Sequence, residues 1–271
     1  TETDMYNSFL MSLSDVQLLL FLPLASCVLM FLLTVLFRRF RTPLRLDDYD
    51  SDVLDTATQN TMSGAYVVLG FVLVLAMTTV SDLDTSVARE ASAIRSLERL
   101  LVLDGSRESL QSRELLLAYT RSVIQEEWPQ LKHSQSSPAT SDKLQKLFLS
   151  LDALTPSTPK DVALYSKALD EADKVAELRT SRILSVQSTL PGVFYLVGAV
   201  SLLGVIVICA LRLIEATVIR SMALVTQIVM LTLMFSAIVI IDLPYLGDTV
   251  TSPDAMEAAL TSMENRKLYP R

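Results

Sequence analysis

The chain is poor in the residues that metal centres and hydrolytic sites are built from. Its 271 residues hold one histidine, two cysteines and one tryptophan. That is too few for a Cys/His metal cluster or a disulfide framework. Glycine occurs only seven times, and no glycine-rich phosphate loop, Walker or dinucleotide pattern is among them. Basic residues are outnumbered, 23 Lys+Arg against 30 Asp+Glu, for a net charge of −7. A nucleic-acid binder needs a basic face, and this balance excludes one. Charge of either sign is also sparse, at 20%, where soluble domains carry about 25%.

Hydrophobic residues make up 51% of the chain, with a mean hydropathy of +0.41. They gather in four uncharged runs: 16–37, 63–80, 191–211 and 222–241. A bilayer core about 30 Å thick needs roughly 20 apolar residues of helix, so each run reads as a membrane span. The first is too long for a secretory signal, and its arginines follow the run instead of preceding it, so we expect a retained span. A start at Thr1 in place of methionine is expected of a processed or truncated chain.

Arginine placement predicts orientation. Arg38, Arg39, Arg41 and Arg45 lie in the link between spans one and two, and Arg212 and Arg220 edge the link between spans three and four. This puts both short links in the cytoplasm, with the termini and the long middle segment outside. The acidic group from Asp47 to Asp55 contributes little to that rule.

Residues 81–189 carry 14 Lys+Arg against 16 Asp+Glu and a single glycine, Gly105. Leu83, Val87, Ala91, Ile94, Leu97 and Leu101 recur at the steps of an amphipathic helix. No breaker separates them from span two, so span and stripe should form one helix. A second helix is expected from Arg107 to Glu127, ended by Pro129. A third covers Ser141 to Leu154, and a fourth starts at Thr158-Pro159 and runs to a break at Pro191. Residues 242–271 read as a tail. The expected fold is all-α: an integral membrane protein with four spans and an extramembrane helical bundle inserted between spans two and three.

Candidates for chemistry are few. His133 sits in a serine-rich loop with no G-x-S-x-G turn to serve, and Cys27 and Cys209 lie inside spans. The ten methionines read as gap-filling core. We expect no catalytic residue, metal or cofactor. Span two carries a different signal. Ser63, Gly70, Thr78 and Ser81 are spaced by seven, eight and three residues, so at about 100° per residue they share one face. Val67 and Val74 lie on that face. Small polar groups alternating with valine suit a pore lining, and they equally suit close helix packing, the commoner use of small residues in membranes. Three polar residues complete the set: Glu90 beyond span two, Gln227 inside span four, and Asp242 at its end. Each could line a mouth or join helices.

The chain resembles the bacterial bestrophin-like family. The resemblance rests on Gly64 to Val72 running into Glu90-Ala91, on Tyr119, Val123 and Glu127-Trp128-Pro129, and on Asp242 to Gly247 after span four. Arg179 and Arg182 ahead of Leu190-Pro191 fit it too. It implies a relation to bestrophins, pentameric anion channels with four spans and long helices leaving the membrane. It therefore implies a homo-oligomer, a pentamer by that relation, in a bacterial inner membrane, with span two around the pore. Bestrophins differ in lining a neck with closely spaced aromatics and in holding their helical domain in the cytosol. A non-catalytic sensor, or an accessory subunit whose bundle binds a partner in a larger membrane complex, is the alternative reading.

Overall fold

Between Asp48 and Asp104 there is no proline, and glycine occurs only at Gly64 and Gly70. Nothing in that stretch removes a backbone donor or forces a turn, and the longest element results. In a computed structural model, which describes residues 15–40, 48–131, 135–185, 190–214, 216–242 and 251–266, this helix runs unbroken over 57 residues. The helices are α1 (Asp15–Phe40), α2 (Asp48–Asp104), α3 (Arg107–Ser122), α4 (Trp128–Leu131), α5 (Pro138–Asp152), α6 (Pro159–Ser185), α7 (Gly192–Leu213), α8 (Val218–Ile241) and α9 (Asp254–Glu264). No strand occurs among the described residues. The stretches 41–47, which holds Arg41, Arg45 and Asp47, 132–134 with His133, and 243–250 lie outside them.

Four helices, α1, α2, α7 and α8, are long and apolar enough to cross a membrane. The chain divides into two compact units, Thr1–Thr79 with Leu190–Val250 and Val80–Thr189 with Thr251–Arg271. Helix α2 contributes its first part to one and its second part to the other.

The first unit packs α1, the start of α2, α7 and α8 around Met30, Leu69, Val72, Ile206, Cys209 and Ile228. Apolar surface gives membrane helices no hydrophobic drive to associate, so close packing and interhelical hydrogen bonds must hold them. Both are present. A β-carbon at Gly198 would come within 2.9 Å of the Phe235 ring and 3.3 Å of Leu69, so glycine lets α7 approach both neighbours. The Thr34 hydroxyl lies 2.8 Å from the Met30 carbonyl and 3.2 Å from that of Ala210, which links α1 to α7. Pro23 sits inside α1, a position tolerated in membrane helices.

The second unit buries the predicted stripe of α2 together with Leu116 and Leu117 of α3, Leu144, Leu147 and Leu151 of α5, and Ala172 and Val175 of α6. Its turns follow local chemistry. Helix α2 stops at Gly105, whose φ of 67° is the left-handed conformation that favours glycine. Ser106 then caps α3, its side chain accepting from the Ser109 N–H. Thr158 and Asp161 form a reciprocal cap at the start of α6, with bonds of 3.2 and 3.1 Å.

Three elements depart from the expectation. Helix α5 begins at Pro138, capped by Ser137, three residues before Ser141. Pro129 does not end the second helix. A π-helical turn over Val123–Glu127 widens the spiral ahead of it, which accommodates the missing N–H and the ring. Residues 254–264 form α9, no part of a tail, because Met256, Ala259 and Met263 recur on one face and are fully buried in the second unit.

Gly198→Ala should cost about 1–3 kcal/mol through overpacking, read as a lower melting temperature of the purified protein. At Gly70 an added β-carbon meets nothing within 4 Å, so Gly70→Ala should leave the protomer's own packing intact. Equal losses from both would contradict this assignment.

Candidate functional site

Span two shows what the protomer leaves open. Ala65, Leu69, Val72 and Ala76 are buried and form the packed side of α2. On the opposite side Ser63, Val67, Val74 and Thr78 are exposed, and Gly70 is half-buried. Ser81, in the second unit, is exposed as well. Phe71 and Met77, both exposed, flank the stripe. Among the described residues its small side chains are therefore not covered by packing. Helix α1 turns Leu20, Leu24, Phe31 and Leu32 outward, as a lipid-facing surface requires, whereas α2 mixes Val67, Phe71, Val74 and Met77 with Ser63 and Thr78. Of the four apolar windows, that of α2 is the least covered.

Ser63 and Gln227 line one open cleft of about 530 Å³ in the first unit, with Asp55, Gln59, Tyr66, Arg212 and Arg220. The Tyr66 hydroxyl donates to the backbone carbonyl of Gln227 at 3.4 Å. Arg220 donates to Asp55 at 3.0 Å, and Arg212 pairs with the same carboxylate. Asp242 is buried at the end of α8 and accepts the Leu190 N–H at 2.7 Å and the Tyr195 hydroxyl. It thereby ties the start of α7 to the end of α8.

Glu90 is fully buried in the second unit, beside Arg182, which is also without exposed surface. Arg182 donates to Glu90 at 2.8 Å through Nε and to Glu127 at 2.8 Å through Nη2. Arg179 donates to Glu127 at 3.1 and 2.5 Å. The Tyr119 hydroxyl donates to Glu90 at 3.3 Å, and Trp128 lies 5.3 Å from the Arg182 guanidinium, within cation–π range. Two arginines and two glutamates from α2, the π-helical turn and α6 thus neutralise one another. Burial opposes the charge on Arg182, but Glu90 and Glu127 outweigh it and hold the proton more tightly than usual. Burial, then the charge of Glu90, keeps the Tyr119 phenol protonated well above its ordinary value.

A second buried carboxylate, Glu98, meets Arg113 at 2.9 Å and Arg266 at 2.8 Å. Arg113 also donates to the Met263 carbonyl at 2.6 Å, so the same charge anchors the end of α9. Among the described residues no group of three His, Cys, Asp or Glu could hold a metal.

Sequence reasoning placed the stripe residues on one helix face but did not connect Glu90 with Glu127, Arg179 and Arg182, or Asp55 with Arg212 and Arg220. A signal was available for the first set. Glu90 stands three residues after Val87 and four before Ile94, on the apolar stripe, and Arg179 and Arg182 continue the stripe of Ala172 and Val175. Charges on a buried face need each other.

Arg182→Met should leave buried Glu90 without a cationic partner and Glu127 with Arg179 alone, at a cost of about 3–5 kcal/mol, read as a fall in melting temperature. Lys146→Met, which removes the solvent-exposed pair with Asp142, should leave stability unchanged. Equal losses would contradict the cluster's role. The raised Tyr119 value gives the pH sign. The unfolded chain ionises near the ordinary value of 10.0 while the folded one does not, so stability is level below that pH and falls above it. Tyr119→Phe should weaken that alkaline fall.

The bestrophin-like domain model matches residues 24–256. Crystal structures of two single-residue variants of a bacterial bestrophin homologue from Klebsiella pneumoniae are similar in fold, each with a TM-score of 0.64 at 13% identity. One alignment covers 93% of this chain and 99% of that one, the other 91% and 99%. A third crystal structure, of a membrane protein variant, has a TM-score of 0.62 at 12% identity and covers 92% of this chain and 99% of its own. No curated protein matches by sequence. With the family model spanning most of its length, the chain belongs to the bestrophin-like family.

Proposed function

We propose that the protein is a homo-oligomeric membrane channel in which α2 of each subunit lines a shared axis. The observation that carries this reading is the outward stripe Ser63, Val67, Gly70, Val74 and Thr78, small, weakly polar and uncovered in the protomer. Serine and threonine hydroxyls replace part of an ion's hydration, and rings of valine narrow the passage and gate by dewetting. The family relation points to anions as the permeant class and to a ring such as a pentamer. The second unit lies outside the bilayer as an inserted helical bundle. Glu90 and Asp242 act as positioning residues, the first within that unit and the second between α7 and α8. The arginine-bearing links face the cytoplasm, and the bundle faces the other side of an inner membrane.

One cysteine experiment tests both pore and orientation. In a background with Cys27 and Cys209 replaced by alanine, cysteines at Gly70 and Val74 should react with a charged, water-borne thiol reagent. Their modification should block anion flux in proteoliposomes. A cysteine at the exposed Leu24 of α1 should stay unreactive. In intact spheroplasts a cysteine at Leu149, exposed in the second unit, should react with the same reagent added outside. Unreactive cysteines at Gly70 and Val74 would overturn the pore. Protection of Leu149→Cys until the cells are opened would reverse the orientation.

A further inference from the structure

The open cleft of the first unit has a composition that ion passage does not explain. Its charged lining is two arginines against one aspartate. Arg212 lies in the last turn of α7 and is nearly buried, and Arg220 lies in the first turn of α8 and is half-exposed. Asp55 stands eight residues before Ser63, where the apolar window of α2 begins to take over. All three therefore mark the border of the spans, where lipid headgroups sit. Arg220 directs one N–H at Asp55 and keeps further donors of its planar fork for an oxyanion.

Away from these charges the cleft has one apolar side, and Ser63, Tyr66 and Gln227 lie on the rest of its lining. Met62 and Leu224 form its buried wall. Next to Arg220, Val218, Ile219 and Met222 expose large apolar side chains on the first turns of α8. A soluble anion needs none of that surface. A molecule with an oxyanion at one end and a hydrocarbon chain at the other uses both the arginines and the Met62–Leu224 wall.

We propose that this cleft binds an anionic phospholipid, its phosphate on Arg212 and Arg220 and an acyl chain along Met62 and Leu224. Ser63 borders both this cleft and the proposed pore face, but lipid retention is read without conduction, so failure of one reading is distinguishable from failure of the other.

The test uses the full chain purified in detergent and exposed to phosphatidylglycerol or phosphatidylcholine of identical acyl chains. Bound lipid is counted by native mass spectrometry, and melting is followed in parallel. The wild type should retain phosphatidylglycerol preferentially and melt higher with it. Arg220→Gln should reduce that preference about fivefold, the usual worth of one arginine near an anionic surface, while melting as the wild type does in detergent alone. Arg39→Gln, which removes an exposed arginine outside the cleft, should leave the preference unchanged. The proposal is overturned if headgroup preference is absent, if both substitutions lower it equally, or if millimolar inorganic phosphate alone reproduces the melting shift.

Discussion

A guanidinium with no exposed surface persists only where its charge is answered at hydrogen-bond distance. Arg182 is answered by Glu90 and Glu127, and most of the second unit follows from that requirement. Glu90 fixes where α2 meets α6. Glu127 reaches inward because the π-helical turn shifts the register of the chain just before Trp128, and it takes Arg179 as a second partner. Arg182 bridges both glutamates, so losing it leaves Glu90 without a cation and Glu127 with Arg179 alone. The Glu98 pairs extend the same logic to α9.

The membrane-spanning unit is held differently. The buried hydroxyls of α8, Thr232 and Ser236, bond back to carbonyls one turn earlier, which satisfies them in an apolar setting. Gly198 permits the close crossing at Phe235, and Asp242 anchors the entry to α7. These contacts use one side of α2 and leave the other, with its small and weakly polar residues, for something outside the protomer. An isolated helix facing lipid has no use for serine and threonine there. A neighbouring subunit or a water-filled axis does.

Much of the fold was legible because the signals are local. Uncharged runs of span length marked the four apolar helices, and the Leu83–Leu101 stripe marked the second half of α2. Thr158-Pro159 marked the start of α6 within a residue. The π-helical turn escaped because Pro129 ordinarily ends a helix, and only the register change upstream makes it tolerable. Helix α9 escaped because three buried side chains in eleven residues are a weak periodic signal beside an acidic, proline-bounded stretch. The ion cluster escaped for a deeper reason. The stripes mark Glu90 and Arg182 as charges on buried faces, but they are 92 positions apart, and which charge answers which depends on how those faces pack. The α2 stripe was visible as a stripe, but pore lining and helix packing both demand small residues, so composition alone could not choose between them.

The central claim is that identical chains close a ring around α2. The mass and rotational symmetry of the particle, measured by single-particle imaging in lipid nanodiscs, tests it most directly. The account predicts a closed ring of identical subunits with the Ser63–Thr78 face of α2 toward the axis. A monomer, or one copy beside unrelated subunits, would contradict it and turn attention to a partner of the helical bundle.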